Sequence, residues 1–241
     1  MEAVASNLES VRSRIDAAAQ RAGRDRSDIC LIAVSKTFSP DHVRAAWAAG
    51  QRDFGENKVQ EALQKIAETS DIQIRWHLIG HLQSNKAKRA AGSFACIHSV
   101  DSVELLNRLD AAASAQGVAP QVLVQLDLAG EASKSGAGAD DARRILEAAL
   151  DAKAVQAVGL MLIPPWNEDP EQTRPWFARL RDLRDRWLAE GIPKPALRNL
   201  SMGMSHDFEA AIEEGATMVR VGTAIFGKRT YGTAGIQAGG R

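Results

Sequence analysis

The sequence predicts an α/β protein: a single (β/α)8 barrel of the TIM type with an extra N-terminal helix. Three observations predict it. Short apolar runs alternate with amphipathic helical stretches along the whole chain, and such alternation implies a parallel sheet, because parallel neighbours need a crossover between them. About eight strand–helix units can be counted, the number that closes a barrel. No GxGxxG follows the first strand, which removes the commonest dinucleotide-binding form of the open, doubly wound alternative. A length of 241 residues suits one such domain.

The elements follow in order. Residues 3–22 read as a helix with Val4, Leu8, Val11 and Ile15 on one face. Strand 29–35 comes next. Ser39-Pro40 offers an N-cap and a proline at the first helical position, opening helix 40–49, which Gly50 closes. "RDFGE" (52–56) is a short strand before helix 58–68. Strand 72–80 leads to helix 83–91, and strand 94–100 to helix 103–115, with Asp101 or Ser102 as cap. Strand 121–128 precedes helix 139–151, and strand 155–163 precedes helix 170–190. Strand 197–203 precedes helix 206–214, and strand 217–222 ends in a short helix, 223–227. The Gly- and Ala-rich segment 232–241 reads as a frayed tail, leaving 1–231 as the domain.

Composition excludes several classes. Thirty basic residues balance thirty acidic ones, so no global field favours nucleic acid or an anionic membrane, and an anionic ligand must be held locally. Cys30 and Cys96 are the only cysteines; two isolated thiols make no disulfide framework and suit a reducing cytoplasm. The N-terminus lacks the basic and apolar regions of a signal peptide, and no apolar run is long enough to span a bilayer. A cytoplasmic location is expected.

Candidate chemistry starts at "CLIAVSKTF" (30–38), a buried-looking strand that runs into a lysine. Ile32, Val34 and Lys36 share one parity of the strand. If that parity faces the barrel interior, Lys36 projects into the mouth at the carboxyl end, where barrel active sites are built. A desolvated amine there would be nucleophilic. The plainer alternative is a lysine whose stem is buried and whose head reaches water. "NLSMGMSHDFEAAI" (199–212) and "MVRVGTAIFG" (218–227) each run from strand through a Ser/Gly turn into a helix. Barrels frequently hold phosphate on these two loops, where unpaired N–H groups point at an anion. Ser201, Gly203, Gly222 and Thr223 are the candidates; the alternative is an ordinary cap by Ser205 with Asp207 and Glu209 in the first turn. Arg220 shares the parity of Gly222, and a buried guanidinium needs a partner, of which a barrel carboxylate is the simplest.

"AVSKTF", "FGENKVQEA", "WHLIGHLQSNK", "SVDS", "AGEASKSG", "GLMLIPP" and "SMGMSHDFEAAIEEGATMVRVGTAIFG" together resemble the pyridoxal phosphate homeostasis proteins. Their barrel is similar to the N-terminal barrel of alanine racemase, a fold-type III pyridoxal 5'-phosphate (PLP) fold. The resemblance runs over about residues 5–231. It implies a Schiff base between Lys36 and PLP, phosphate contacts from Ser201, Gly222 and Thr223, Arg220 near the pyridine nitrogen, and Asn57 on the cofactor's other edge. It adds Lys134 as a secondary contact. The function implied is that of a PLP carrier and buffer supplying PLP-requiring apo-enzymes, as a monomer or weak homodimer, without robust turnover. His206 and Leu162 stand where the family often has an acidic residue and Thr or Ala.

Chemistry agrees with a carrier. Enzymes that stabilise a carbanion strongly keep the pyridine nitrogen protonated with a carboxylate, and an arginine, itself already protonated, cannot accept that proton, so a ring facing Arg220 is a poor electron sink. Racemisation also needs an acid on the far side of the substrate, and Tyr231, the only tyrosine, lies near the tail. The rival is a genuine Schiff-base enzyme, either a PLP racemase or decarboxylase or a cofactor-free aldolase of phosphorylated sugars. No metal site is expected from His77 and His81, which sit on a strand and a glycine turn without an HExxH glutamate. His42 and His98 read as structural, and Lys86, Lys88 and Arg89 as a solvated helix face rather than a nucleic-acid site.

Overall fold

The computed structural model describes residues 2–130 and 135–227. The proposed tail, Lys134 and Tyr231 lie outside the described residues. Eight parallel strands close into a barrel in sequence order: β1 (Cys30–Val34), β2 (Asp53–Glu56), β3 (Arg75–Leu78), β4 (Cys96–Val100), β5 (Gln121–Leu126), β6 (Gln156–Leu162), β7 (Asn199–Met204) and β8 (Met218–Val221). β8 closes on β1 in the register Cys30↔Met218 to Ala33↔Val221. Helices α1 (Glu2–Arg21), α2 (Pro40–Ala48), α3 (Val59–Glu68), α4 (Ala87–Ala91), α5 (Val103–Gln116), α6 (Ala139–Leu150), α7 (Arg174–Ala189), α8 (Phe208–Glu213) and α9 (Thr223–Phe226) surround it.

Every predicted strand and helix is present, and the differences fall at the ends. The third strand shortens from 72–80 to Arg75–Leu78. The helices expected at 83–91 and 170–190 each begin as a 3-10 turn, Ser84–Lys86 and Pro170–Thr173. A tighter turn at a helix start is a common way to meet orphan backbone groups. Ser102, rather than Asp101, caps α5 by accepting from the Leu105 N–H. Ser39 precedes α2 without a side-chain cap bond; its hydroxyl pairs with His42 Nδ1 at 2.9 Å.

The apolar groups divide into two layers, as strand parity requires. A small cluster of Ile32, Cys96, Leu123, Val158, Met161 and Met218 fills the inside of the barrel. The larger cluster lies between barrel and helices. α1 buries Val4, Leu8, Val11, Ile15, Ala18 and Ala19. It lies over α8 and α9, where Asn7 Nδ2 donates to the Ile225 carbonyl at 3.0 Å. The extra helix therefore braces the β8 end of the barrel. Among the described residues no helix is long and apolar enough to cross a membrane.

One glycine sets the shape of the mouth. A Cβ at Gly80, just past β3, would lie 2.4 Å from the Asn57 carbonyl oxygen and 2.8 Å from its Cα. Both are backbone atoms that no rotamer change can move. Gly80→Ala is therefore expected to cost about 2 kcal/mol, as overpacking typically does, read as a lowered urea midpoint with an unchanged slope.

Candidate functional site

Ile32 packs inside the barrel, so the parity of Ile32 and Val34 faces inward. β1 ends at Val34, and Lys36 sits half-buried in the following turn. The register sets β1 beside Gly55 of β2 through Val34, and beside Arg220 of β8 through Ile32. Gly222 packs so closely on Val34 that an added Cβ would lie 3.2 Å from the Val34 carbonyl oxygen. Lys36, Asn57 and Gly222 thus belong to neighbouring strand ends at one rim.

The turn that carries Lys36 is held on both sides. Thr37 is the one non-glycine with positive φ (69°) among the described residues. A β-branched residue there stores strain of about 1–3 kcal/mol, which persists only if surrounding contacts enforce it. Glu61 Oε1 accepts from the Thr37 N–H at 2.5 Å. Lys65 Nζ donates to the Ser35 carbonyl at 2.7 Å, to Glu56 Oε1 at 2.8 Å and to Glu61 Oε1 at 3.1 Å. Ser35 Oγ donates to Glu56 Oε1 at 2.7 Å. Glu56 is fully buried and its Oε2 lacks a partner. Burial pushes its carboxyl pKa up, against the opposing bonds from Lys65 and Ser35. These three charged residues went unremarked in the sequence; the available signal was a glutamate closing β2 and a lysine on the inner face of α3.

Arg220 points inward and is only 4% exposed. The carboxylate partner weighed for it is absent among the described residues. Its Nη1 donates to Ser201 Oγ at 2.6 Å and its Nη2 to the Leu162 carbonyl at 2.9 Å. Burial lowers its pKa to about 10, so it stays cationic at neutral pH. Asn57 Oδ1 is shielded from solvent and has no hydrogen-bond partner. A cavity of about 240 Å³ opens beside Asn57, lined by Ile79, Gly80, His81, Gln125 and Asp127 among others; Lys36, Ser201, Arg220, Gly222 and Thr223 are not part of its lining.

Ser201, expected on the phosphate loop, instead has its hydroxyl inside the barrel between Arg220 and His98. Ser205, the serine read as a helix cap, occupies the position expected of Ser201. Its Oγ accepts from the Gly222 N–H at 3.1 Å and the Ala224 N–H at 3.4 Å. Asp207, not Ser205, precedes α8, and its Oδ1 accepts from the Met204 N–H at 2.7 Å. The cause is the irregular register of β7 on β8 between Ser201 and Met204, which spacing alone does not reveal. Gly222 and Thr223 are at the head of α9 as expected.

His98, read as structural, lies at the centre of a buried polar column. His98 Nδ1 meets Ser201 Oγ at 2.8 Å and His98 Nε2 meets His77 Nδ1 at 3.0 Å. His77 Nε2 meets Asp53 Oδ1 at 3.0 Å, and Arg75 clamps Asp53 from the barrel's amino end at 2.7 and 2.5 Å. Burial, then the charges of His77 and Arg220, hold the His98 pKa well below its usual value. His77, Cys96 and His98, rather than His77 and His81, are the described donors close enough to share a metal; the facing nitrogens of the two imidazoles are bonded to each other. His81 lies at the mouth, 3.5 Å from Asp101. A larger cavity, about 690 Å³, opens at the opposite end beside Asp53, Arg75 and Cys96, but in barrels chemistry belongs to the carboxyl end. His206 stacks near Trp166 and bonds the Glu168 carbonyl at the rim.

Asp53 makes a pH prediction. Burial alone would raise its pKa, but bonds from His77 and Arg75 bring it to about 2. A carboxyl depressed on folding stabilises above its unfolded value and loses that contribution as pH falls through the folded one. The stability gap between wild type and Asp53→Asn is therefore expected to be constant at neutral pH and to close between about pH 4 and pH 2, measured by denaturant titration.

Comparison with known proteins matches residues 6–230 to the family model described as alanine racemase, N-terminal domain. The pyridoxal phosphate homeostasis protein of Pseudomonas aeruginosa is 47% identical over 96% of this chain and 98% of its own. That of Aquifex aeolicus is 42% identical over 93% and 97%. The structure of PipY from Synechococcus elongatus with PLP bound superposes with a TM-score of 0.82 at 41% identity, covering 93% of this chain and all of PipY. Alanine racemase of Clostridium difficile shares the fold at a TM-score of 0.72 and 14% identity, with 57% of its length covered.

Proposed function

Since this chain belongs to the alanine racemase N-terminal domain family, among the pyridoxal phosphate homeostasis proteins, we propose that it binds PLP and acts as an intracellular carrier and buffer of that cofactor without strong catalytic turnover. The observation that carries this reading is a pair of unspent polar groups: a buried Arg220 bonded only to neutral groups and a shielded Asn57 Oδ1 with no partner. Burial of such groups is costly unless a ligand completes them. A ring with a nitrogen acceptor on one edge and a hydroxyl on the other suits them.

The cofactor, when bound, supplies a reactive aldehyde and an electron-withdrawing ring. Lys36 holds it covalently, amine to aldehyde. The amides of Gly222, Thr223 and Ala224 and the Ser205 hydroxyl bind its phosphate, replacing the bonds Ser205 now accepts. Asn57 orients one ring edge. Arg220 donates to the ring nitrogen and does not protonate it, because a guanidinium with a pKa of about 10 keeps its proton at neutral pH. Turnover is therefore weak, and holding and releasing the cofactor is what the site does. PLP-requiring apo-enzymes are the recipients in this reading.

The experiment is titration of purified protein with PLP in the visible, followed by mixing with a PLP-requiring apo-enzyme. The expected result is a yellow protein that activates the apo-enzyme and turns over amino acids no faster than free PLP does. A protein that stays colourless would overturn the reading. Ser205→Ala should weaken PLP binding about tenfold or more, the loss of one hydrogen bond to a charged group, while leaving the colour of the saturated protein unchanged.

A further inference from the structure

We infer that Asp53, His77, His98 and Ser201 form a one-way hydrogen-bond chain along the barrel axis whose task is to position Arg220; the inference rests on the role given to Arg220 above. The direction of the chain follows from its ends. A guanidinium has only donors, and an ionised carboxylate has only acceptors. Ser201 Oγ therefore accepts from Arg220 Nη1 at 2.6 Å. Its own proton then goes to the other described partner, His98 Nδ1, at 2.8 Å. His98 must carry its proton on Nε2, which it donates to His77 Nδ1 at 3.0 Å. His77 in turn must carry its proton on Nε2 and donates to Asp53 Oδ1 at 3.0 Å. Arg75 holds Asp53 ionised through two further bonds.

This assignment uses each facing donor and acceptor once, with both imidazoles neutral. The reverse direction would need a protonated Asp53 or an accepting guanidinium. Charging His77 would set two N–H groups against each other across the 3.0 Å gap to His98, and charging His98 would set its Nδ1–H against the Ser201 hydroxyl proton at 2.8 Å and place a second cation beside Arg220. The other ionisable groups near the column do not compete. Cys30 and Cys96 are kept protonated, the thiol of Cys30 being pushed up to about 12 by burial. Asp207 acts on Arg220 only through space.

Every dipole in the chain points its negative end toward Arg220. A buried cation is thereby stabilised by aligned neutral groups, and the countercharge of Asp53 stands three side chains away. The second anchor, the Leu162 carbonyl at 2.9 Å, holds the other terminal nitrogen from a different strand. The guanidinium plane is fixed, and the remaining N–H groups are aimed without a contacting carboxylate to divert them. Ser201, His98, His77 and Asp53 are positioning residues: they act on the ring nitrogen only through Arg220.

The test has two arms. In ¹⁵N-histidine-labelled protein without added PLP, long-range ¹H–¹⁵N spectra are expected to show His77 and His98 as neutral Nε2–H tautomers at neutral pH. An Nδ1–H tautomer or an imidazolium at His98 would overturn the inference whatever PLP does. In the second arm, Ser201→Ala is expected to shift the visible band of the PLP-loaded protein and weaken PLP binding about tenfold, with Ser201→Thr restoring both. A Ser201→Ala protein that folds and matches wild type in both readouts would overturn it. If Ser201→Ala does not fold, the tautomers of the wild type decide. Failure of the wild type to bind PLP at all would sink the proposed function and leave the tautomer result standing, so the two failures are told apart.

Discussion

Lys36→Ala is expected to abolish the visible absorption of PLP-treated protein completely, and to do so without unfolding it. The side chain is half-buried at the end of β1 and is no part of either apolar cluster. Its truncation is expected to lower stability by about 1 kcal/mol, the centre of the range for single substitutions, which leaves the protein folded. The neighbouring clamp uses the backbone of Ser35 and Thr37 rather than the Lys36 side chain, so the turn keeps its shape in the variant. Weak, noncovalent binding that is lost when free PLP is removed should persist, because Ser205, Gly222 and Thr223 still offer a phosphate cradle. Lys36→Arg is the sharper control. It keeps a positive charge at the rim, but a guanidinium remains protonated at neutral pH and does not condense with an aldehyde. A loss of colour in both variants, with cooperative unfolding retained, separates the chemistry of the amine from its charge. Retention of colour in either would place the covalent link elsewhere.

The largest effect on stability is expected from Lys65→Met. Lys65 and Glu56 are 5% and 0% exposed and 2.8 Å apart. Removing the cation leaves a buried carboxylate with one hydroxyl partner, which costs about 3–5 kcal/mol. The pH dependence has a definite sign. A carboxyl whose folded pKa lies above its unfolded one destabilises when it must ionise, and burial already pushes that of Glu56 upward. Without Lys65 the upward push is stronger, so the penalty is greatest at neutral pH and shrinks as pH falls toward the ordinary range near about 4. Adding Glu56→Gln to Lys65→Met removes the charge and should recover much of the loss at pH 7, with little further change on acidification. Denaturant titrations at neutral and mildly acidic pH check all three statements. The same variant frees the Ser35 carbonyl and loosens the strained Thr37, so PLP binding should weaken even under conditions where the protein is fully folded.

How much of this was legible in the sequence depends on the kind of signal. Parity was legible, because a strand alternates with a period of two whatever its surroundings. Ile32 and Val34 share the inward face of β1, as Met218 and Arg220 share that of β8, and both pairs could be read from local spacing. The barrel was legible for the same reason: alternation and count need no long-range information. What could not be read is what depends on register between strands distant in sequence. The column from Arg220 to Asp53 takes one residue each from β2, β4, β7 and β8 and another from β3, and no spacing within a single segment announces it. His98 therefore looked like an isolated histidine, and a carboxylate was expected where Arg220 meets a serine and a carbonyl. Ser201 and Ser205 lie four residues apart on either side of a register shift, and only the shift decides which hydroxyl reaches the Gly222 amide. The clamp around Lys36 was hidden for a related reason. Glu56 and Lys65 are nine residues apart in sequence, one at a strand end and one on a helix, and each alone resembles an ordinary charged residue.

The central claim is that the amine of Lys36, and no other, carries the cofactor. Borohydride reduction of the PLP-loaded protein, followed by proteolysis and mass spectrometry, tests it most directly. The expected result is a single stoichiometric pyridoxyl adduct on the peptide containing Lys36, absent from Lys36→Ala. A stoichiometric adduct on any other lysine, or one that survives unchanged in Lys36→Ala, would contradict it.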